Sequence, residues 1–309
     1  MIQVDGLVKR FGKKVAVDHL TFNVGPGRVT GFLGPNGSGK STTMRLIMGL
    51  DRPTAGRALV GGRPFAASKT PMRDVGALLD AKAAHPGRSG RQHLLQLAAT
   101  NGIGRRRVDE VIGLTGLESV GSKRVKTYSL GMSQRLGVAA ALLGDPAALI
   151  LDEPVNGLDP EGVAWVRGLM KRLAAEGRAV FVSSHLMSEM ALTADWLVII
   201  GRGRMIANAS VAEIVRATSA EATRVRSRDA AQIAAALAGP GVETIFEGPD
   251  TVLVRGLAAS AVGEAAARNG WVVTELTPVT ASLEEAFIKL TDSAVEFRSA
   301  PLNGEGGTR

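Results

Sequence analysis

Residues 34–42 read G-P-N-G-S-G-K-S-T and fit the pattern G-x-x-x-x-G-K-[ST] of a phosphate-cradling loop. The chemistry asks for these residue types at this spacing. Gly34, Gly37 and Gly39 let the backbone curl until consecutive N–H groups face an anion, a placement in which Asn36 and Ser38 share. Lys40 brings a point charge within reach of the outer phosphates of a triphosphate. Ser41 offers a hydroxyl to Mg²⁺, and Thr42 opens a helix whose N-terminus favours negative charge. The flanks agree. Residues 28–33 form a short, largely apolar run, as a buried strand does, and Met44, Ile47 and Met48 then recur at helical spacing.

Working outward, residues 2–9 and 15–24 read as two strands joined by a turn at 10–14, with Phe11 at its tip. An exposed aromatic there can stack on a base face, and the plainer alternative is packing on the sheet. Residues 57–60 and 75–79 read as further strands, and Asp80 follows the second. Helical spacing over 91–102 and 105–116 makes the stretch from 80 to 145 mostly helical. Ser129 and Gly131 stand ahead of an Ala/Leu-rich helix. They read either as ordinary capping or as a second anion-binding N-terminus.

Residues 147–151 are an apolar strand that ends in Asp152 and Glu153. Side chains alternate along a regular strand, so the two acids divide two tasks, holding Mg²⁺ and polarising an attacking water. Residues 156–160, N-G-L-D-P, form a turn before a helix over 161–175. A buried strand over 179–183 leads to His185, at the strand end where open α/β sheets place their ligands. A hairpin over 196–208 closes the core near Ala217. Beyond it, strand-like and helical pieces form a small α+β unit to residue 292, and 293–309 read as a frayed polar tail.

Composition bounds the rest. The chain has 309 residues, enough for two domains; 45% are apolar but only 4% aromatic, so aliphatic side chains build the core. No cysteine is present, which excludes disulfides and cysteine-based zinc sites. The net charge of +8 is dispersed apart from Arg105-Arg106-Arg107 and the arginines between 202 and 228. It fits nucleic acid, nearby anionic lipid or a solvated basic surface. No apolar run approaches the ~18–20 residues that span a bilayer, and no signal-peptide pattern opens the chain.

Taken together and in order, these motifs resemble the nucleotide-binding subunit of an ABC transporter over residues 1–217. Residues 34–42 look like its Walker A. Residues 128–135, Y-S-L-G-M-S-Q-R, are similar to its signature, usually L-S-G-G-Q, with Leu130 and Met132 where the pattern has Gly and Gln. Residues 150–153 look like Walker B plus the catalytic glutamate, 156–159 like the D-loop, and His185 like the switch histidine. Asp80 stands where the family has a glutamine that helps bind Mg²⁺ and couples to the membrane subunit.

The resemblance implies a P-loop NTPase cassette of the α/β class. It has a RecA-like core, an antiparallel β subdomain, a helical subdomain at about 80–145 and an α+β C-terminal domain over 218–292. It also implies ATP and Mg²⁺ as ligands. Phe11, Val17, residues 36–42, Ser129 and Gly131 would bind nucleotide, and Ser41, Asp152 and Asp80 the metal. Glu153 would act on the water, with Lys40 and His185 stabilising charge. Two copies would clasp ATP head to tail and drive a separate membrane permease from the cytoplasmic face of the cell membrane, with no nucleic acid bound. Residues 281–291 resemble the C-terminal extension of drug- and antibiotic-export ATPases, which implies export of a drug, antibiotic or other hydrophobic compound. The alternative, a soluble ABC ATPase on ribosomes or DNA, calls for two cassettes or a long coiled coil, and this sequence has one cassette and no heptad run.

Overall fold

An N-terminal hairpin pairs β1 (Ile2–Phe11) with β2 (Lys14–Val24), leaving only Gly12 and Lys13 in the turn. The computed structural model describes residues 1–218, 222–279 and 282–291; the expected tail at 293–309 lies outside them. The chain continues through β3 (Arg28–Leu33), α1 (Lys40–Ile47), β4 (Ala55–Val60), the short α2 (Pro71–Asp74) and β5 (Val75–Leu78). Helices α3 (Gly90–Thr100), α4 (Arg105–Leu114) and α5 (Leu130–Leu142) follow. Then come β6 (Ala148–Leu151), α6 (Pro160–Ala175), β7 (Ala179–Ser184), α7 (Met187–Thr193), β8 (Trp196–Gly201) and β9 (Arg204–Ser210).

Two sheets result. One is antiparallel, in the order β2-β1-β4. The other has the order β5-β6-β7-β3-β8-β9, parallel except for the closing β8–β9 pair. Strands β6 and β7 are buried at every position, which is why they read as continuous apolar runs rather than alternating ones. The core joins the two sheets and α1. Phe22 of the first sheet meets Phe32 and Phe181 of the second with ring centroids 5.6 Å away, those two rings lie 5.0 Å from each other, and Met44, Leu46 and Ile47 of α1 complete the cluster. Helix α5 lies unusually close to β5, because a Cβ at Gly76 would run into the Ala141 carbonyl and one at Gly137 into the Leu78 side chain. That approach fixes where the start of α5 stands relative to the strand ends.

One compact unit takes in Met1–Ser210 and, among the described residues after the second unit, Thr291; the second spans Val211–Leu290. The boundary falls before the expected Ala217 because α8 (Val211–Thr218) groups with the later residues. The second unit runs β10 (Ala222–Ser227), α9 (Ala230–Leu237), β11 (Glu243–Gly248), β12 (Thr251–Arg255), α10 (Ala259–Asn269), β13 (Val273–Pro278) and α11 (Leu283–Thr291). Its antiparallel sheet has the order β11-β12-β10-β13. Over β10–β13, that β-α-β-β-α-β path is the split βαβ, or ferredoxin-like, arrangement. Val225, Ile233, Val252, Val254 and Val262 form its small aliphatic core.

Candidate functional site

The loop between β3 and α1 is held from two directions. Gly39, with φ 106°, opens α1, and a Cβ there would strike the Ala16 carbonyl of β2. A Cβ at Gly34 would lie 2.5 Å from the Ile200 carbonyl of β8. The N–H of Gly203, in the β8–β9 turn, donates to the Ser38 carbonyl at 3.0 Å. The Ser38 hydroxyl is buried and lacks a hydrogen-bond partner among the described residues, as an oxygen reserved for a ligand would be. Lys40 is only 8% exposed, and its Nζ donates to the carbonyls of Gly34 at 2.7 Å and Pro35 at 3.3 Å. Burial pushes the Lys40 pKa down, and the Glu153 and Asp152 carboxylates push back.

A cavity of about 460 Å³ opens over this loop, lined by Phe11, Lys14, Ala16, Asn36, Gly37, Ser38, Gly39, Lys40, Ser41, Thr42 and Glu153. Phe11 is half exposed, with the Lys9 ammonium 4.9 Å from its ring centroid. Val17 does not line the cavity. It is fully buried in the core beneath Gly39, and its neighbours Ala16 and Lys14 face the space instead.

At the far end, β6 stops at Leu151, so the two acids are not on a regular strand. Glu153 has φ 49°, left-handed backbone that is rare for a residue with a Cβ. Its N–H donates to Ser183 Oγ at 2.9 Å, and the same hydroxyl donates to Asp152 Oδ1 at 2.5 Å. Glu153 Oε2 lies 2.8 Å from His185 Nδ1. Gln134 of α5 donates from Nε2 to the Glu153 carbonyl at 2.8 Å. Neither Ser183 nor Gln134 stands out in the sequence. The one trace of Ser183 is a polar residue at the end of an apolar strand.

Ser129 caps α5, its Oγ accepting from the Met132 N–H at 3.1 Å. With Gly131, Met132, Arg135, Gly157, Leu158 and Asp159 it lines a separate cavity of about 330 Å³ that shares no residue with the first. Asp80 lines neither. It is exposed, and its Oδ1 accepts from the Lys82 N–H at 2.8 Å, closing a local turn.

Residues 17–156 match the family model described as ABC transporter, and 221–284 match a domain of unknown function, DUF8746. The bacitracin transport ATP-binding protein BcrA of Bacillus licheniformis is 41% identical over 209 residues, 67% of this chain and 68% of that protein. The daunorubicin resistance ATP-binding protein DrrA3 of Streptomyces coeruleorubidus is 35% identical over 303 residues, 94% of this chain and 95% of that one. This chain belongs to the ABC transporter ATP-binding protein family. Among solved structures, an ATP-binding subunit of an ABC transporter is 26% identical, covering 70% of this chain and 92% of its own, with a TM-score of 0.65. The dimeric post-hydrolysis cassette MJ0796 bound to ADP and Pi shares the fold at 22% identity and a TM-score of 0.62, covering 68% of this chain and 98% of its own. The protein is an ATP-binding, ATP-hydrolysing subunit of an ABC transporter.

One expected result follows from the loop's supports. Gly39→Ala forces an L-residue to φ 106° and drives a methyl group at the Ala16 carbonyl. ATP affinity should fall by at least about tenfold, since ~1.4 kcal/mol of distortion suffices for that. Titration with a fluorescent ATP analogue checks it, and an unchanged Kd shows that β2 does not hold the loop.

Proposed function

We propose that two copies of this ABC ATPase clasp ATP head to tail and, on closing, drive a separate membrane-embedded permease that exports an antibiotic or other drug. The observation that carries the pairing is the division of the site. The Lys40 cavity and the Ser129 cavity share no lining residue, which supports reading them as two half-sites that a nucleotide would join across a second copy. The cargo class rests on relatives whose names are bacitracin transport, lantibiotic transport and daunorubicin resistance. Among the described residues no helix is long and apolar enough to cross a membrane; the proposal puts the permease on a separate chain, with this one working at its cytoplasmic side.

A polyphosphate fits the residues present: two glycines where a Cβ would clash, an unpartnered buried hydroxyl and a nearly buried cation. No cluster of three or more His, Cys, Asp or Glu among the described residues could hold a metal alone. Ser41 and Asp152 suit a hard cation that keeps phosphate and water ligands, as Mg²⁺ does. Bound there, Mg²⁺ would neutralise charge on the phosphates. Lys40 would exchange its bond to the Gly34 carbonyl for phosphate oxygens. Phe11 would stack on the base, while Ser129 and the α5 N-terminus of the other copy meet the outer phosphate. Glu153 would accept a proton from the attacking water, and His185 would hold that carboxylate and donate to the γ-phosphate. Asp80 is left out of the set.

The test is assembly. The purified chain, reconstituted with its permease in Mg²⁺ and a non-cleavable ATP analogue, should carry two copies locked together by interface cross-linking, and should separate when the analogue is washed out. Copies that never pair under these conditions sink the proposal.

A further inference from the structure

We propose that Gln134 is a positioning residue for hydrolysis: it holds the main chain of Glu153 in the conformation that aims the carboxylate, and ties that turn to the helix bearing Ser129. The inference rests on Glu153 being the group that acts on water.

Glu153 sits at φ 49°, a region that glycine enters freely and glutamate enters only when its surroundings insist. Both flanking peptides are gripped. The N–H before it goes to Ser183 Oγ at 2.9 Å, and the carbonyl after it receives Gln134 Nε2 at 2.8 Å, with the Asn156 N–H a longer second donor at 3.2 Å. Rotating the backbone towards an ordinary strand would break both grips and swing the carboxylate from His185.

Gln134 is placed for this contact at some expense. It is only 4% exposed, and its other polar atom, Oε1, is buried with no hydrogen-bond partner among the described residues. A side chain chosen for packing alone would carry no such orphan. Its helix is seated against β5 by the close approaches at Gly76 and Gly137, so the donor cannot drift from the strand ends. The same helix begins at the Ser129 cap. A shift of the second half-site on meeting a nucleotide is thereby passed through α5 to the water-activating group of this copy's own site.

Two variants test it, Gln134→Met, which keeps volume but removes the donor, and Gln134→Lys, which keeps a donor of similar reach. Packing alone favours Met, whereas positioning favours Lys. In Gln134→Met, kcat should fall at least about tenfold while KM for ATP stays within roughly twofold and the thermal midpoint is unchanged. Gln134→Lys should recover much of that kcat. The proposal is overturned if Met turns over like the wild type, if Met and Lys fall equally, or if kcat, KM and midpoint worsen together. Glu153→Gln, run alongside, separates the two claims. A silent Glu153→Gln beside an unimpaired Gln134→Met overturns the positioning role alone. A Glu153→Gln that turns over normally removes the reading of Glu153 and this proposal with it.

Discussion

Glu153→Gln is expected to reduce ATP turnover by on the order of 10²–10⁴-fold, the usual worth of a positioned general base. The substitution keeps shape and removes basicity. The supports of the turn, Ser183 Oγ on the N–H and Gln134 on the carbonyl, hold main-chain atoms and survive the change. A glutamine oxygen can still accept from His185 Nδ1, which lies 2.8 Å from the native carboxylate. ATP affinity should therefore stay within a few fold, because Lys40 and the loop N–H groups are untouched. With binding intact and cleavage stopped, ATP and Mg²⁺ should accumulate a closed pair of copies that the wild type shows only briefly. Phosphate release and light scattering, measured together, check both halves. Wild-type turnover removes Glu153 from its role. Silence without a trapped pair leaves the base in place and removes the idea that cleavage is what opens the clasp.

The parts of the molecule that local chemistry dictates were legible in the sequence. The phosphate loop announces itself because Gly, Lys and Ser must stand at fixed offsets. Strands β6 and β7 announce themselves because burial on both faces leaves no polar alternation. What stayed hidden depends on register or on contacts between distant segments. In β2, Leu20, Phe22 and Val24 alternate inward, and strict continuation would bury Ala16 and turn Val17 outward. His19, at φ 53°, breaks the alternation, so Val17 turns into the core and Ala16 into the cavity. Asp152 and Glu153 were expected to alternate on a strand, but β6 ends before them and a left-handed residue separates their directions instead. Gly203 and Gln134 reach the site from 165 and 19 residues away through single hydrogen bonds. No spacing rule along the chain carries such pairings. The strands of the second unit were readable one by one, yet their order β11-β12-β10-β13 is a property of pairing alone.

Lys40→Ala is expected to abolish ATP binding at micromolar concentrations. The ammonium is nearly buried and already makes two hydrogen bonds to loop carbonyls, at 2.7 and 3.3 Å, so it is held at the mouth of the cradle rather than free in solvent. Phosphate oxygens in place of those carbonyls pair the ammonium with charged acceptors, in bonds of about 1.5–3 kcal/mol each. Losing two of them weakens binding by on the order of 10²–10⁴-fold. Fold loss is not the expected cause, and the pH dependence of the ATP-free protein distinguishes the two. Burial lowers the Lys40 pKa, so the charged form is disfavoured in the folded chain relative to the unfolded one. As pH rises from the lowered folded value towards the ordinary lysine value, the unfolded state holds more proton than the folded state, and stability rises. Lys40→Ala should lack that alkaline gain and should match or exceed the wild type in thermal midpoint near neutral pH. Calorimetric titration with ATP, paired with thermal melts across the alkaline range, reads both effects. A variant that binds ATP normally refutes the role of Lys40; one that binds nothing but also melts well below the wild type at pH 7 shows that the ammonium supports the loop itself rather than the phosphates.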